Sequence, residues 1–313
     1  MKKEKDRRLV APSMIALTCS LFGSEAASES LNAFPGGVTP AQLVDDIGAA
    51  ERIDAADLLR TISQEVPSAA CHLHEGIEVE EATQLLVDSV KKFDVVLDAL
   101  RNGNVSMNII GAETRRKTIA DLDKLAGQWA PMKAAAETML ADPSDAAALR
   151  VILDGNLALL DTAAHLVSEL SGEYSNPAEL LQADVLMIDI SGRQAMLTQK
   201  IAKEACQIAM GDPDPTLRET LAGSVQMFDV SQNALLFGME QAGIKAAPTP
   251  EIETELTKVA GEWAPMKVHL DVLTDGGDID NEARGELLRG LDVVMFHMNE
   301  IVHLYTEYSK HKY

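Results

Sequence analysis

The chain carries the same long passage twice. Leu122 to Lys133 reads LDKLAGQWAPMK and Leu256 to Lys267 reads LTKVAGEWAPMK, 134 residues apart, and the matched Trp129 and Trp263 are the only two tryptophans. A period of this length is the size of a small domain and not of a solenoid repeat, so it predicts two copies of one folding unit. Upstream the match continues at an offset of 135: Ser89-Val90, Phe93-Asp94-Val95, Ala99-Leu100 and Gly103 recur as Ser224-Val225, Phe228-Asp229-Val230, Ala234-Leu235 and Gly238. Ile53-Asp54, Ser63-Gln64 and Ala70-Cys71 recur as Ile188-Asp189, Thr198-Gln199 and Ala205-Cys206. Downstream, Glu173-Tyr174-Ser175 answers Glu307-Tyr308-Ser309 at offset 134, which predicts that one residue is lost before the tryptophan segment and that the register then holds to the end.

Each copy resolves into four amphipathic segments divided by turn signals, with no strand pattern. The first copy predicts helices over Pro40 to Leu73, Val79 to Asn102, Thr114 to Ala141 and Ser144 to Gly172; the second over Pro177 to Met210, Thr216 to Ala242, Pro250 to Leu273 and Asn281 to His311. Asn176-Pro177 and Thr249-Pro250 are N-cap and first-turn proline pairs, and Gly211-Asp212-Pro213 is a helix stop. Four long helices with short links, twice over, predict an all-α protein of two tandem antiparallel four-helix bundles, at 40–175 and 176–313. Ile190, Gln194, Leu197, Ile201, Ala205 and Ile208 recur at spacings of three and four, and Ala55, Leu59, Ile62, Val66, Ala70 and Leu73 hold the same places in the first copy; these are core stripes. Trp129 and Trp263 lie inside helical patterns beside a proline and are read as core filling at a bend.

The first 26 residues have a basic start, an apolar run from Leu9 to about Gly23 and a small-residue exit, the pattern of a cleavable secretory signal, with an uncleaved inner-membrane anchor as the alternative. The remainder is then expected outside the cytoplasm, in a bacterial periplasm. Cleavage takes away five basic and three acidic residues and moves the formal charge from −22 to −24. A chain this acidic excludes nucleic acid as a partner and requires any anion site to be built locally from arginines or helix ends. Cys71 and Cys206 occupy equivalent positions; they pair only if their helices pack with Cα atoms within about 7 Å, and otherwise are small buried thiols.

Ile188 to Lys203 reads IDISGRQAMLTQKIAK. This segment resembles the signature helix of the type IV pili methyl-accepting chemotaxis transducer N-terminal domain (PilJ-like), a family related to the periplasmic region of the NarX-type nitrate/nitrite sensors. Ile188, Gly192, Arg193, Gln194, Met196, Leu197 and Gln199 match the pattern, and Thr198 and Lys200 are conservative. The resemblance implies an extracytoplasmic helical sensor module. It also implies an anion seat where two signature helices meet, with an arginine holding a nitrate or nitrite through paired donors. The family's anion-contacting arginine is Ala195 in the second copy and Arg60 in the first, whereas Arg193 is kept in the second copy and is Leu58 in the first, and the family glycine is Asp57 there.

The candidate ligand-binding residues are therefore Arg60, Ser63, Gln64, Arg193, Gln194 and Gln199. Arg60, Ser63 and Gln64 stand at i, i+3 and i+4 and form one polar patch. If the two signature helices pack together, Arg60 and Arg193 share one site; otherwise both form surface or interbundle ion pairs. Cys71-His72-Leu73-His74-Glu75 has metal-ligand chemistry, but Gln207, Ala209 and Met210 stand at its histidine and glutamate positions in the second copy, so it is read as a helix end and no metal or cofactor is expected. No nucleophile arrangement, haem motif or phosphate loop is present, and no enzyme is expected. The sequence predicts a sensory or ligand-binding protein with two such bundles, taking a small anion and acting through a membrane receptor or envelope protein. The alternative is a structural or interaction bundle of the envelope with no small ligand.

Overall fold

The computed structural model describes residues 49–174 and 182–310. The segment read as a signal, residues 1–26, and the junction of the copies near Ser175-Asn176 lie outside the described residues. Among the described residues all regular structure is helical, apart from two single β-bridges. The long helices are α1 (Ala49–His74), α2 (Val79–Asn102), α3 (Arg116–Ala141), α4 (Ala146–Tyr174), α5 (Gln182–Ala209), α6 (Leu217–Phe237), α7 (Pro250–Thr274) and α8 (Asn281–Lys310).

Helices α1 to α4 close a ring in which α1 touches α2 and α4, and α3 touches the same two; α5 to α8 repeat that ring. The two rings meet chiefly where α1 lies along α5. The apolar stripes explain the arrangement: Leu59, Ile62, Val66 and Ala70 of α1 and Ile188, Ile201 and Ala205 of α5 are all buried, so each signature helix is covered by its own bundle and by the other. By length and composition Ala146–Glu173 would also pass for a membrane span, but in the bundle its stripe of Leu149, Ile152, Leu159, Leu166 and Leu170 is buried against its neighbours.

Local signals set the boundaries. Thr249 accepts the N–H of Ile252 at 3.3 Å ahead of Pro250, starting α7. The sequence pattern runs the sixth helix on to Ala242, but α6 stops at Phe237. Gly238 takes a φ of 80°, a left-handed value disfavoured for other residues, and Met239 pairs with Ile244 in a small bridge around the 3-10 turn Glu240–Ala242. Gly103 (φ 83°) and the Asn104–Ile109 bridge build the same turn in the first copy.

The end of the register also differs from the sequence reading. The buried positions Ile152, Asn156, Leu159, Ala163, Leu166, Val167 and Leu170 of α4 correspond to Leu287, Leu291, Val294, Met298, Ile301, Val302 and Tyr305 of α8, a constant offset of 135 and not 134. The link from Thr274 to Asn281 is longer than that from Ala141 to Ala146 and restores the residue lost before the tryptophan segment. A methionine contact confirms the register. A Cβ on Gly155 would lie 3.1 Å from Met132, and one on Gly290 would overlap Met266, so the same methionine fills the same glycine notch in both bundles.

The tryptophans are buried at 3% and 5% exposure and pack in matching ways. Phe93 and Trp129 ring centroids are 4.1 Å apart, as are those of Phe228 and Trp263. Each indole N–H donates to the aspartate that follows the phenylalanine, Asp94 at 2.8 Å and Asp229 at 2.7 Å. Those carboxylates are in turn paired with Lys133 at 2.6 Å and Lys267 at 3.2 Å.

Candidate functional site: the crossing of the two signature helices

Helices α1 and α5 run side by side in parallel, with equivalent positions facing each other. Cys71 and Cys206 form a disulfide with a Cα separation of 6.3 Å. About four turns toward the N-termini on each helix, Asp57 lies against Gly192, where a Cβ would fall 2.6 Å from the Asp57 carboxyl carbon. A contact between equivalent positions is what a twofold relation between the copies requires. Cys71, Gln64 and Asp57 are spaced by seven, as are Cys206, Gln199 and Gly192, so the shared line is a heptad row.

Arg60 of α1 is 2% exposed and reaches across this line. Its Nη1 donates to Asp189 Oδ1 at 2.8 Å and its Nη2 to the Asp189 carbonyl at 3.0 Å. On the outer side Arg193 of α5 pairs with the other carboxylate oxygen, Nη2 to Oδ2 at 2.9 Å, while remaining 59% exposed. The two arginines singled out in the sequence thus converge on one carboxylate. That carboxylate has the planar form of a small oxyanion and sits between two guanidinium groups, each able to offer paired donors.

Arg60 also forms an ion pair with Asp57, one turn earlier on its own helix. The contact is close but not aligned as a hydrogen bond, and both Asp57 oxygens lack a hydrogen-bond partner. Burial pushes the Asp57 carboxyl up to about 8, with Arg60 opposing that rise and Asp189 and Asp54 reinforcing it. Burial thus disfavours the charged form of Asp57, and the hydrogen-bonded carboxylate partner of Arg60 is Asp189.

The remaining candidates are turned elsewhere. Ser63 donates to the Arg60 carbonyl at 2.6 Å, within its own helix. Gln194 donates to the Phe228 carbonyl at 3.0 Å and ties α5 to α6. Gln64 accepts from Lys203 at 3.0 Å, and the same ammonium donates to Asn156 at 2.9 Å. Burial lowers Lys203 to about 8. Gln199, opposite Gln64 in the heptad row, has neither side-chain atom hydrogen-bonded.

The copies differ here in a correlated way. Lys203 and Asn156 correspond to Ser68 and Leu291, so where the lysine is missing its amide partner is replaced by a hydrocarbon. The histidine segment makes structural contacts. His72 meets the Ser68 carbonyl at 2.8 Å, His74 meets that of Pro143 at 2.8 Å, and Glu75 pairs with Arg284 at 3.0 Å, while the Cys71 sulfur is in the disulfide.

Asp189, Asp57, Lys203 and Asn156 are the participants that sequence reasoning left out. Asp57 carried a signal, as the residue standing where the family pattern has glycine. Asp189 was visible only as half of a repeated Ile-Asp pair, and nothing local marks it as the partner of both arginines.

The helical pair on which these residues sit has known relatives. A family model described as type IV pili methyl-accepting chemotaxis transducer N-terminal matches residues 46–154 and 181–285. The methyl-accepting chemotaxis protein McpN of Pseudomonas aeruginosa is 33% identical over 84 residues, which make up 27% of this chain and 15% of that protein. The chain therefore spans a small part of that relative's length. Each family match covers the first three helices of one bundle and runs into its fourth, and the crossing joins the signature helices of both. The chain belongs to the type IV pili methyl-accepting chemotaxis transducer N-terminal (PilJ) family, whose role is sensory, and carries its domain twice.

Proposed function

We propose that the protein is a non-enzymatic sensory module acting outside the cytoplasm, which binds a small oxyanion of the nitrate or nitrite class at the α1–α5 crossing and passes the event to a partner receptor. The observation that carries this reading is the convergence of Arg60 and Arg193 on the two oxygens of Asp189. Two guanidinium groups flanking one planar carboxylate form an anion seat, and duplication places both within one chain. In this resting arrangement the seat is held by Asp189, so an external anion enters by competing with an internal carboxylate. A movement of Asp189 away from Arg60 would loosen α1 from α5, a change at the contact that joins the two bundles.

Calorimetric titration with nitrate and nitrite tests this. The reading predicts saturable binding to the unmodified protein, loss of binding in Arg60→Ala, and tighter binding in Asp189→Asn, where the competing charge is gone. The absence of binding in all three proteins, or an isotherm unchanged by Arg60→Ala, rejects it.

The burial of Arg60 against two carboxylates supports a second reading, an envelope interaction module without a small ligand. A ligand that binds only the native state must raise the melting temperature, so a flat melting profile across a panel of anions favours this alternative.

A further inference from the structure

A cleft of about 490 Å³ opens where the C-terminal part of α4, from the first copy, meets the N-terminal part of α5, from the second. Val167, Val185 and Leu186 give it apolar walls, Ser168 lies at its side, and Asp189 and Arg193 form its polar end. Its volume is within the range of small-metabolite sites and well above the needs of a four-atom oxyanion, since a single water takes about 30 Å³ of liquid. We infer that this cleft is a second binding site, adjoining the anion seat and sharing Arg193 with it, for a small organic acid whose carboxylate pairs with Arg193 and whose apolar body packs on Ala183 and Leu186.

Three observations carry the inference. The mixture is that of a metabolite pocket, mostly apolar with a few polar groups at one end. Arg193 engages Asp189 through one nitrogen and is 59% exposed, so the guanidinium retains donors for a ligand. The corresponding residue of the first copy is Leu58, so only one of the two bundles presents a guanidinium at this position. Because Asp189 joins Arg193 to Arg60, a carboxylate drawing on Arg193 also acts on the contact between α1 and α5.

Benzoate is a suitable probe, since it combines a planar carboxylate with an apolar body. Calorimetry on the full chain should give saturable benzoate binding. That binding should weaken about tenfold or more in Arg193→Leu, the loss expected for one charge-assisted pair. It should disappear in Ser168→Phe, a change at an exposed position that fills the cleft. Absence of saturable benzoate binding overturns the inference, as do isotherms unchanged in both variants. Loss of the nitrate seat at Arg60 leaves the benzoate result standing, so the two sites fail separately.

Discussion

Cys71 and Cys206 are bonded to each other, and their sequence separation of 135 equals the offset that relates the two signature helices. A bond between equivalent positions places them beside a twofold axis, so the duplicated chain holds within itself an arrangement that otherwise needs two chains. The disulfide, the Asp57–Gly192 contact and the convergence on Asp189 lie along the same pair of helices.

Removing the disulfide should weaken the joint without abolishing it, since Leu59, Ile62, Ile188 and Ile201 still bury the seam. Cys71→Ala/Cys206→Ala should lose about 2–4 kcal/mol, the range for a native crosslink closing a long loop. Denaturant unfolding under oxidising conditions measures the loss, and reduction of the unmodified protein should reproduce it. No difference between oxidised protein and variant would mean that the bond adds nothing to the joint.

Asp57 makes stability depend on pH. Its folded pKa of about 8 is raised above the unfolded value of 3.8, so as pH climbs through this interval the unfolded chain releases a proton that the folded chain keeps. Asp57 therefore destabilises the fold progressively between about pH 4 and pH 8. Glu65, raised by burial to about 7, acts in the same sense, and His72, lowered by burial to about 4, acts in the opposite one. Asp57→Asn should melt about a few degrees higher than the unmodified protein at pH 8, with the gap closing toward pH 5. Parallel melting profiles across this range would contradict the assignment.

The indole–aspartate pairs should have similar energies in the two bundles. Asp94→Ala and Asp229→Ala each leave a nearly buried indole N–H without its acceptor and should destabilise by about 1–3 kcal/mol. The double variant should lose the sum, since the two sites belong to different bundles. Chemical denaturation of the three variants measures this. A loss confined to one bundle would show that the repeated geometry does not have repeated energetics.

The methionine notch gives a steric test. Gly290→Val forces Met266 out of its place and should destabilise by about 1–3 kcal/mol, the usual range for overpacking. Adding Met266→Ala should recover part of the loss by making room for the new side chain. If the second change makes matters worse, the two residues do not fill one space.

The fold was readable because the information was periodic. Apolar stripes at helical spacing, proline and glycine at helix ends, and the repeat itself specify eight helices and their pairing. The misjudged end of α6 turned on Gly238, where one residue in a left-handed conformation ends a helix whose apolar pattern runs on. The register of α8 was misplaced because Glu-Tyr-Ser recurs by composition, while the one-residue shift is visible only in which side chains are buried. At the crossing, Arg60 and Arg193 stood out as departures from a family pattern. Their partner Asp189 did not, since a carboxylate that bridges two helices is defined by the packing that brings the arginines to it. Lys203 with Asn156 is a similar case: the pair joins residues 47 apart through a buried ammonium, and no local pattern marks it.

The central claim is that the two copies join in one chain through equivalent positions of α1 and α5. Peptide mapping of the oxidised, monomeric protein under non-reducing conditions tests it most directly. The account predicts one crosslinked peptide pair containing Cys71 and Cys206 of the same chain, with neither thiol open to alkylation in the folded state. Free thiols at both positions, or Cys71 and Cys206 linking separate chains, would contradict it.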